Sequence, residues 1–175
     1  MLKKIEFLKE VLKKNPSDSD AWVQIGYLYF QKEEYENAIN AYKKGIELNP
    51  NEAINWHNLG YLYYEIEEYE NAIKALKQAL ELNPSLAITW SELSTVYIDL
   101  GNFDEAIIAC KNALKHNPKD ESAWTNLGSA YYNKKLYRKA IEALSKALQI
   151  MPNLDFAQKV LNLAKKAKNE DLNKK

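Results

Sequence analysis

Residues 56–65 read WHNLGYLYYE. An imidazole, an amide, a carboxylate and three phenols within ten residues make up the palette of an active site, and the rest of the chain decides whether they serve chemistry or packing. Trp recurs at positions 22, 56, 90 and 124, and Tyr at 29, 63, 97 and 131. Ala38, Ala72, Ala106 and Ala140 keep the same step of 34 residues, as do Pro50, Pro84, Pro118 and Pro152. Unrelated residue types sharing one register mark an internal repeat. The quoted stretch is thus one copy of a unit whose other copies read WVQIGYLYFQ (22–31), WSELSTVYID (90–99) and WTNLGSAYYN (124–133).

Each unit reads as helix, turn, helix. Trp56, Leu59, Gly60 and Tyr63 fall at i, i+3, i+4 and i+7, one stripe of an α-helix. This common stripe predicts that all four Trp residues are largely buried. Gly60 costs roughly 1 kcal/mol against Ala inside a helix, which makes sense where a neighbouring helix comes close. The charged stretch EIEEY (65–69) makes the turn, and Ala72, Ile73, Leu76, Ala79 and Leu80 form the second stripe. The second helix ends at Asn83-Pro84, and its counterparts end at Asn49-Pro50, Asn117-Pro118 and Met151-Pro152. Asn is suited to a left-handed cap, and Pro drives the residue before it out of the helical region.

These marks resemble the tetratricopeptide repeat: Trp, Leu, Gly and Tyr on helix A, then Ala, a large apolar residue, Ala and Pro on helix B. Residues 19–52, 53–86, 87–120 and 121–154 carry the four repeats. Departures are few. Ser94 stands in the Gly slot of the third repeat, Gly45 in the second helix-B Ala slot of the first, and Cys110 in a large apolar slot. Residues 1–18 read as a helix B without its helix A, capping the first repeat. Residues 155–168 read as a final helix A made polar by Gln158, Asn162 and Lys165, and 169–175 as a frayed tail. Terminal repeats need such polar outer faces to stay soluble. The resemblance implies an all-α solenoid, a right-handed superhelical array of antiparallel helix pairs, that binds protein segments along the concave face lined by its A helices.

Helix-wheel geometry, at 100° per residue, places a second face beside the packing stripe. In the first repeat it carries Val23, Gln24, Tyr27 and Phe30, and in the second Ile54, His57, Asn58, Tyr61, Tyr64 and Glu65. The third contributes Glu92 and Asp99, and the fourth Asn126 and Tyr132. These residues are the candidate peptide-binding groove, with His57 read as a solvated groove side chain. Exposed aromatics in a concavity suit an apolar anchor on a partner. The acidic positions, with no Lys or Arg among them, suit a partner carrying basic residues. A chaperone-binding subclass of the family grips acidic C-terminal tails with a Lys/Asn/Arg clamp. Those positions here are Val23, Tyr27, Asn58, Ile88 and Glu92, and only Asn58 matches, so such tails are not the expected partner. Asn58, Asn126 and Gln24 resemble the amide positions that hold a peptide backbone in other arrays.

Composition narrows the rest. Twenty-four Lys and Arg balance twenty-four Asp and Glu, giving a net charge of zero, which argues against nucleic-acid or anionic membrane partners. The single Cys110 allows no internal disulfide and fits a reducing, cytoplasmic setting. The N-terminal stretch has no continuous apolar core and reads as part of the fold rather than as a signal peptide. No HExxH, CxxC, P-loop or GxGxxG occurs, so no catalytic residue, metal or cofactor is expected. His57 and Glu65 lie eight residues apart on one helix, about 12 Å along its axis, too far to work as an acid–base pair. Self-association through the groove or the ends, and recruitment of substrates to an enzyme, are the alternative roles.

Overall fold

The computed structural model describes residues 2–172, and those residues form α-helices joined by short turns. They divide into two compact units, Met1–Pro84 and Ser85–Lys175. The first unit holds α1 (Leu2–Lys14), α2 (Ser19–Phe30), α3 (Tyr35–Leu48), α4 (Ala53–Glu65) and α5 (Tyr69–Leu82). The second holds α6 (Ala87–Asp99), α7 (Phe103–His116), α8 (Glu121–Asn133), α9 (Tyr137–Ile150) and α10 (Asp155–Leu172). Within each unit the tight pairs are consecutive A and B helices: α2 with α3, α4 with α5, α6 with α7, and α8 with α9.

Close approach within a pair is set by one slot. A Cβ on Gly60 would lie 2.7 Å from Leu76 Cγ, one on Gly26 would lie 2.8 Å from the Tyr42 ring, and one on Gly128 would collide with Leu144. Each helical Gly is therefore matched by a large residue driven into the space it leaves. The third repeat inverts the volumes: Ser94 fills the Gly slot and faces the small Cys110. Both are fully buried. Burial pushes the Cys110 thiol up to about 12, so it is a packing group rather than a nucleophile.

The turns differ from the reading of their caps. Asn49, Asn83 and Asn117 have φ of −136°, −140° and −132°, so none adopts the left-handed cap. Met151 sits at −130° in the same role, which shows that the Asn side chain is not what ends the helix. The restriction imposed by the following Pro suffices. Left-handed residues occur instead between helices A and B, at Glu33, Glu67, Gly101 and Lys135, again in steps of 34. There the amide of the next residue reaches back to the carbonyl of Tyr29, Tyr63, Tyr97 or Tyr131, the pattern of a Schellman motif. The sequence hides this turn because only one repeat places a Gly there.

The Trp residues are half-buried rather than largely buried. Their role is partly polar: the indole N–H of Trp22, Trp56 and Trp124 donates to the carbonyl of Pro16, Pro50 and Pro118 at 3.0–3.1 Å. Each bond ties helix A to the Pro that stopped the preceding helix. At the far end α10 continues to Leu172, past the boundary at 168 read from the sequence, and residues 173–175 of the tail lie outside the described residues. It buries Ala157, Val160, Leu161 and Ala164, while Gln158, Asn162 and Lys165 face out.

Candidate functional site

Each unit carries its own part of the candidate face. In the first unit it is built from α2 and α4. Tyr27 is 52% exposed and its hydroxyl accepts a hydrogen bond from Gln31 Nε2 at 2.8 Å. Phe30 meets Tyr61 edge to face at a centroid distance of 5.7 Å, so a ring pair joins the two A helices. Such geometry favours the ring quadrupoles and fixes both side chains. Ile54, Gln24 and Glu65 are exposed, and Asn58, Tyr61 and Tyr64 are half-buried. Phe30 also packs on Tyr35 at 6.2 Å and Tyr64 on Tyr69 at 6.1 Å, contacts that clamp each A helix to the start of its B helix. Tyr64, Glu65, Glu67 and Tyr69 line a notch of about 200 Å³ at the end of this surface.

One residue of the predicted set is withdrawn from the open face, and a second is half-buried beside it. His57 is only 7% exposed, and desolvation holds its imidazole below the ordinary pKa. It is not a solvated groove residue. Val23 occupies the same slot one repeat earlier, and a Cβ on Gly45 would lie 2.6 Å from its Cγ2. Val23 is half-buried, whereas Ser91 and Thr125, the later members of this slot, are buried as His57 is. The wheel placed the slot on the groove because it sits beside it. In the first repeat α3 comes close to this edge, where Gly45 leaves the room that Val23 fills.

In the second unit the equivalent face is polar. Asn126 Nδ2 donates to Ser94 Oγ at 3.0 Å and to Thr95 Oγ1 at 2.9 Å, joining α8 to α6. Ser94 in turn donates to the Ser91 carbonyl at 2.6 Å, and Ser129 to the Thr125 carbonyl at 3.0 Å. Both amide hydrogens of Asn126 are thereby committed inside the protein. Only its carbonyl oxygen is left for the backbone-holding role suggested by the family. Glu92 is half-buried, Asp99 exposed, and Tyr132 packs on Tyr137 at 5.9 Å.

Two features escaped the sequence reading. Asn55 stands where the other repeats have Ala21, Thr89 and Ala123, is buried, and its Nδ2 has no hydrogen-bond partner among the described residues. Comparing the repeats in register flags it. The first unit also has a cleft of about 430 Å³ between α3, α4 and α5, lined by Ile46, Trp56, Leu59 and Tyr63 with Lys43 and Lys74 at its rim. It lies on the packing stripe, with the half-buried Trp56 in its lining.

The profile of the cilia and flagella-associated protein 70 C-terminal domain, a tetratricopeptide-repeat domain, matches residues 4–173. The chain belongs to that family. Solved structures agree with the fold of this tetratricopeptide-repeat chain. MamA superposes with a TM-score of 0.78 at 31% identity, over 83% of this chain and 85% of that one. YrrB, described as a TPR protein with an unusual peptide-binding site, gives 0.76 at 25% identity over 88% and 79%. The first TPR domain of Spaghetti (RPAP3), solved with the HSP90 peptide SRMEEVD, shares the fold at 20% identity and a TM-score of 0.66, over 67% and 94%. No functionally curated protein matches the chain in sequence. Among the described residues no helix is long and apolar enough to cross a membrane.

Proposed function

We propose that this tetratricopeptide-repeat chain is a non-enzymatic adaptor that binds a peptide segment of a partner protein, and that the first unit supplies the main contact. The repeats 19–52 and 53–86 provide the A helices concerned. The observation that carries this reading is the Phe30–Tyr61 pair, which holds an aromatic surface beside exposed Tyr27 and Ile54. Rigid aromatic anchors supply much of the energy at protein interfaces. The notch of Tyr64, Glu65, Glu67 and Tyr69 suits a Lys or Arg side chain, through ion pairing to the carboxylates and cation–π contact with the rings. The partner is a segment with an apolar or aromatic anchor followed by a basic residue. Glu92 and Asp99, on the second unit, favour the same sign of charge. YrrB, with its peptide-binding site, supports the mode but not this partner. A cytoplasmic location fits the buried, unpaired Cys110.

A peptide selected by display against the intact chain tests the proposal. Tyr61→Ala should weaken its binding by at least about 1–2 kcal/mol, and Glu65→Lys should remove the preference for a basic residue. Circular dichroism should show both variants folded. Full-strength binding by both would move the site elsewhere, with the Trp56 cleft the next place to look. Light scattering on the free chain decides the self-association alternative.

A further inference from the structure

The first unit carries a cleft that the peptide face does not use. About 430 Å³ in volume, it lies between α3, α4 and α5 over an apolar floor of Ile46, Trp56, Leu59 and Tyr63. The indole N–H of Trp56 donates to the Pro50 carbonyl at 3.0 Å, which anchors the ring before any ligand arrives. Lys43 and Lys74 stand on the rim, both exposed and neither in an ion pair among the described residues. One acid, Glu47, shares the rim, but Lys44 pairs with it at 2.7 Å, so the rim stays net positive. The fourth repeat builds the same floor from Trp124, Leu127 and Tyr131 and borders it differently. There the cleft is about 250 Å³, Lys139 lies over the Tyr131 ring at 5.7 Å, and Glu142 stands in the slot of Lys74. The packing stripe is common to both repeats; what sets the second apart is its rim, with Asn71 in the slot of Lys139 and Lys74 in that of Glu142.

We infer that this cleft is a binding site for a small aromatic carboxylate, distinct from the A-helix face. Its volume falls within the range of small-molecule sites, roughly 300–1,000 Å³, and its lining has their make-up, an apolar and aromatic floor with a few polar groups at the edge. A flat ring can meet Trp56 and Leu59 while its carboxylate reaches the ammonium of Lys43 or Lys74. Charge decides the class: an organic cation meets two lysines at the rim, and a neutral ring leaves both without a partner. A peptide strand is a poorer occupant. The lining on α5 runs only from Asn71 to Gln78, about 10 Å along the helix axis. The three helices also spend their backbone N–H and C=O groups internally, so a strand finds none to pair with.

Three probes of one shape test this: indole-3-acetate, indole-3-acetamide and tryptamine, negative, neutral and positive. Each is titrated into the intact nitrogen-15-labelled chain, and the indole N–H signals are followed by NMR. Indole-3-acetate should shift the Trp56 signal and leave that of Trp124 in place. It should bind at least about threefold tighter than the acetamide, with tryptamine weakest, and its advantage should shrink as salt rises. Lys74→Glu, the residue of the fourth repeat, should erase the preference for the carboxylate while the acetamide binds as before; Lys43→Gln should reduce it. Both side chains are exposed, so melting should be unchanged. Tyr61→Ala should leave indole-3-acetate binding intact, which separates this cleft from the proposed peptide face. An unmoved Trp56 signal, an equal response to the three probes, an equal shift of Trp124, or a preference that survives Lys74→Glu overturns the inference. So does a Glu-flanked Trp peptide that shifts Trp56 when indole-3-acetate does not, which assigns the cleft to a partner protein.

Discussion

The two units solve one problem by different chemistry. Each must hold neighbouring A helices side by side. In the first unit α2 and α4 meet through the Phe30 and Tyr61 rings. In the second α6 and α8 meet through Asn126 and the hydroxyls of Ser94 and Thr95. Within a pair, three repeats drive a large side chain onto a Gly, whereas the third sets Ser94 against Cys110. The scaffold accepts either a large side chain set on a Gly or two small ones facing each other, and it leaves their polarity free. The difference bears on function. Rings that join helices edge to face still present apolar surface, whereas amides and hydroxyls that join helices are used up by each other.

The sharpest way to break the comparison is to move the third repeat's solution into the second. Gly60→Ser alone should cost about 1–3 kcal/mol by overpacking against Leu76, and Leu76→Cys alone about 2–3 kcal/mol by leaving a void. The double variant should cost at least about 1 kcal/mol less than their sum, as read from urea melts. Strict additivity would mean that the slots are not matched. Next, Asn126→Ala should destabilise the second unit by about 1–2 kcal/mol. Hydrogen exchange should show faster opening of α6 and α8 and little change in α2 and α4; equal loosening of both units would deny the local role of the amide.

A smaller effect belongs to the left-handed turn. Gly101 has φ +73°, and a Cβ added there would meet nothing within 4 Å, so Gly101→Ala tests backbone preference alone and should cost about 1 kcal/mol. Glu67→Gly, at the same turn in the first unit, should gain a fraction of that, because the freed strain is offset by unfolded-chain entropy. A melt in which both changes act in the same direction would refute the turn argument. The smallest effect is the pH response of His57. Burial lowers its folded-state pKa, so its contribution is whole above the ordinary value of 6.5 and is lost as pH falls from there toward the folded value. His57→Thr, the residue of the fourth repeat, should flatten the fall in melting temperature as pH drops below about 6.5. An unchanged profile would place the titration elsewhere.

The repeat was legible because four residue types recur at one spacing, and a period needs no three-dimensional knowledge to be counted. Helix identity, pairing order and the polar surface of α10 followed from it. Cap chemistry did not: Asn before Pro suggested a left-handed residue, yet Met151 does the same work in an extended conformation. The left-handed turns carry Glu, Glu, Gly and Lys, whose identities say little, because a Schellman motif is made by backbone bonds.

The sequence by itself determined that the chain is a stack of helical hairpins, since apolar stripes at helical spacing must be buried and a 34-residue period leaves each hairpin only its neighbours to bury them against. It also marked the aromatic and acidic character of the A helices. Only the tertiary structure decided which of those side chains are available. A helical wheel gives an angle about one axis, whereas exposure depends on the second helix that leans over that angle. His57 is buried, Val23 is half-buried against Gly45, and both amide hydrogens of Asn126 are held by hydrogen bonds between helices, while Tyr27 is left facing out beside the Phe30–Tyr61 pair.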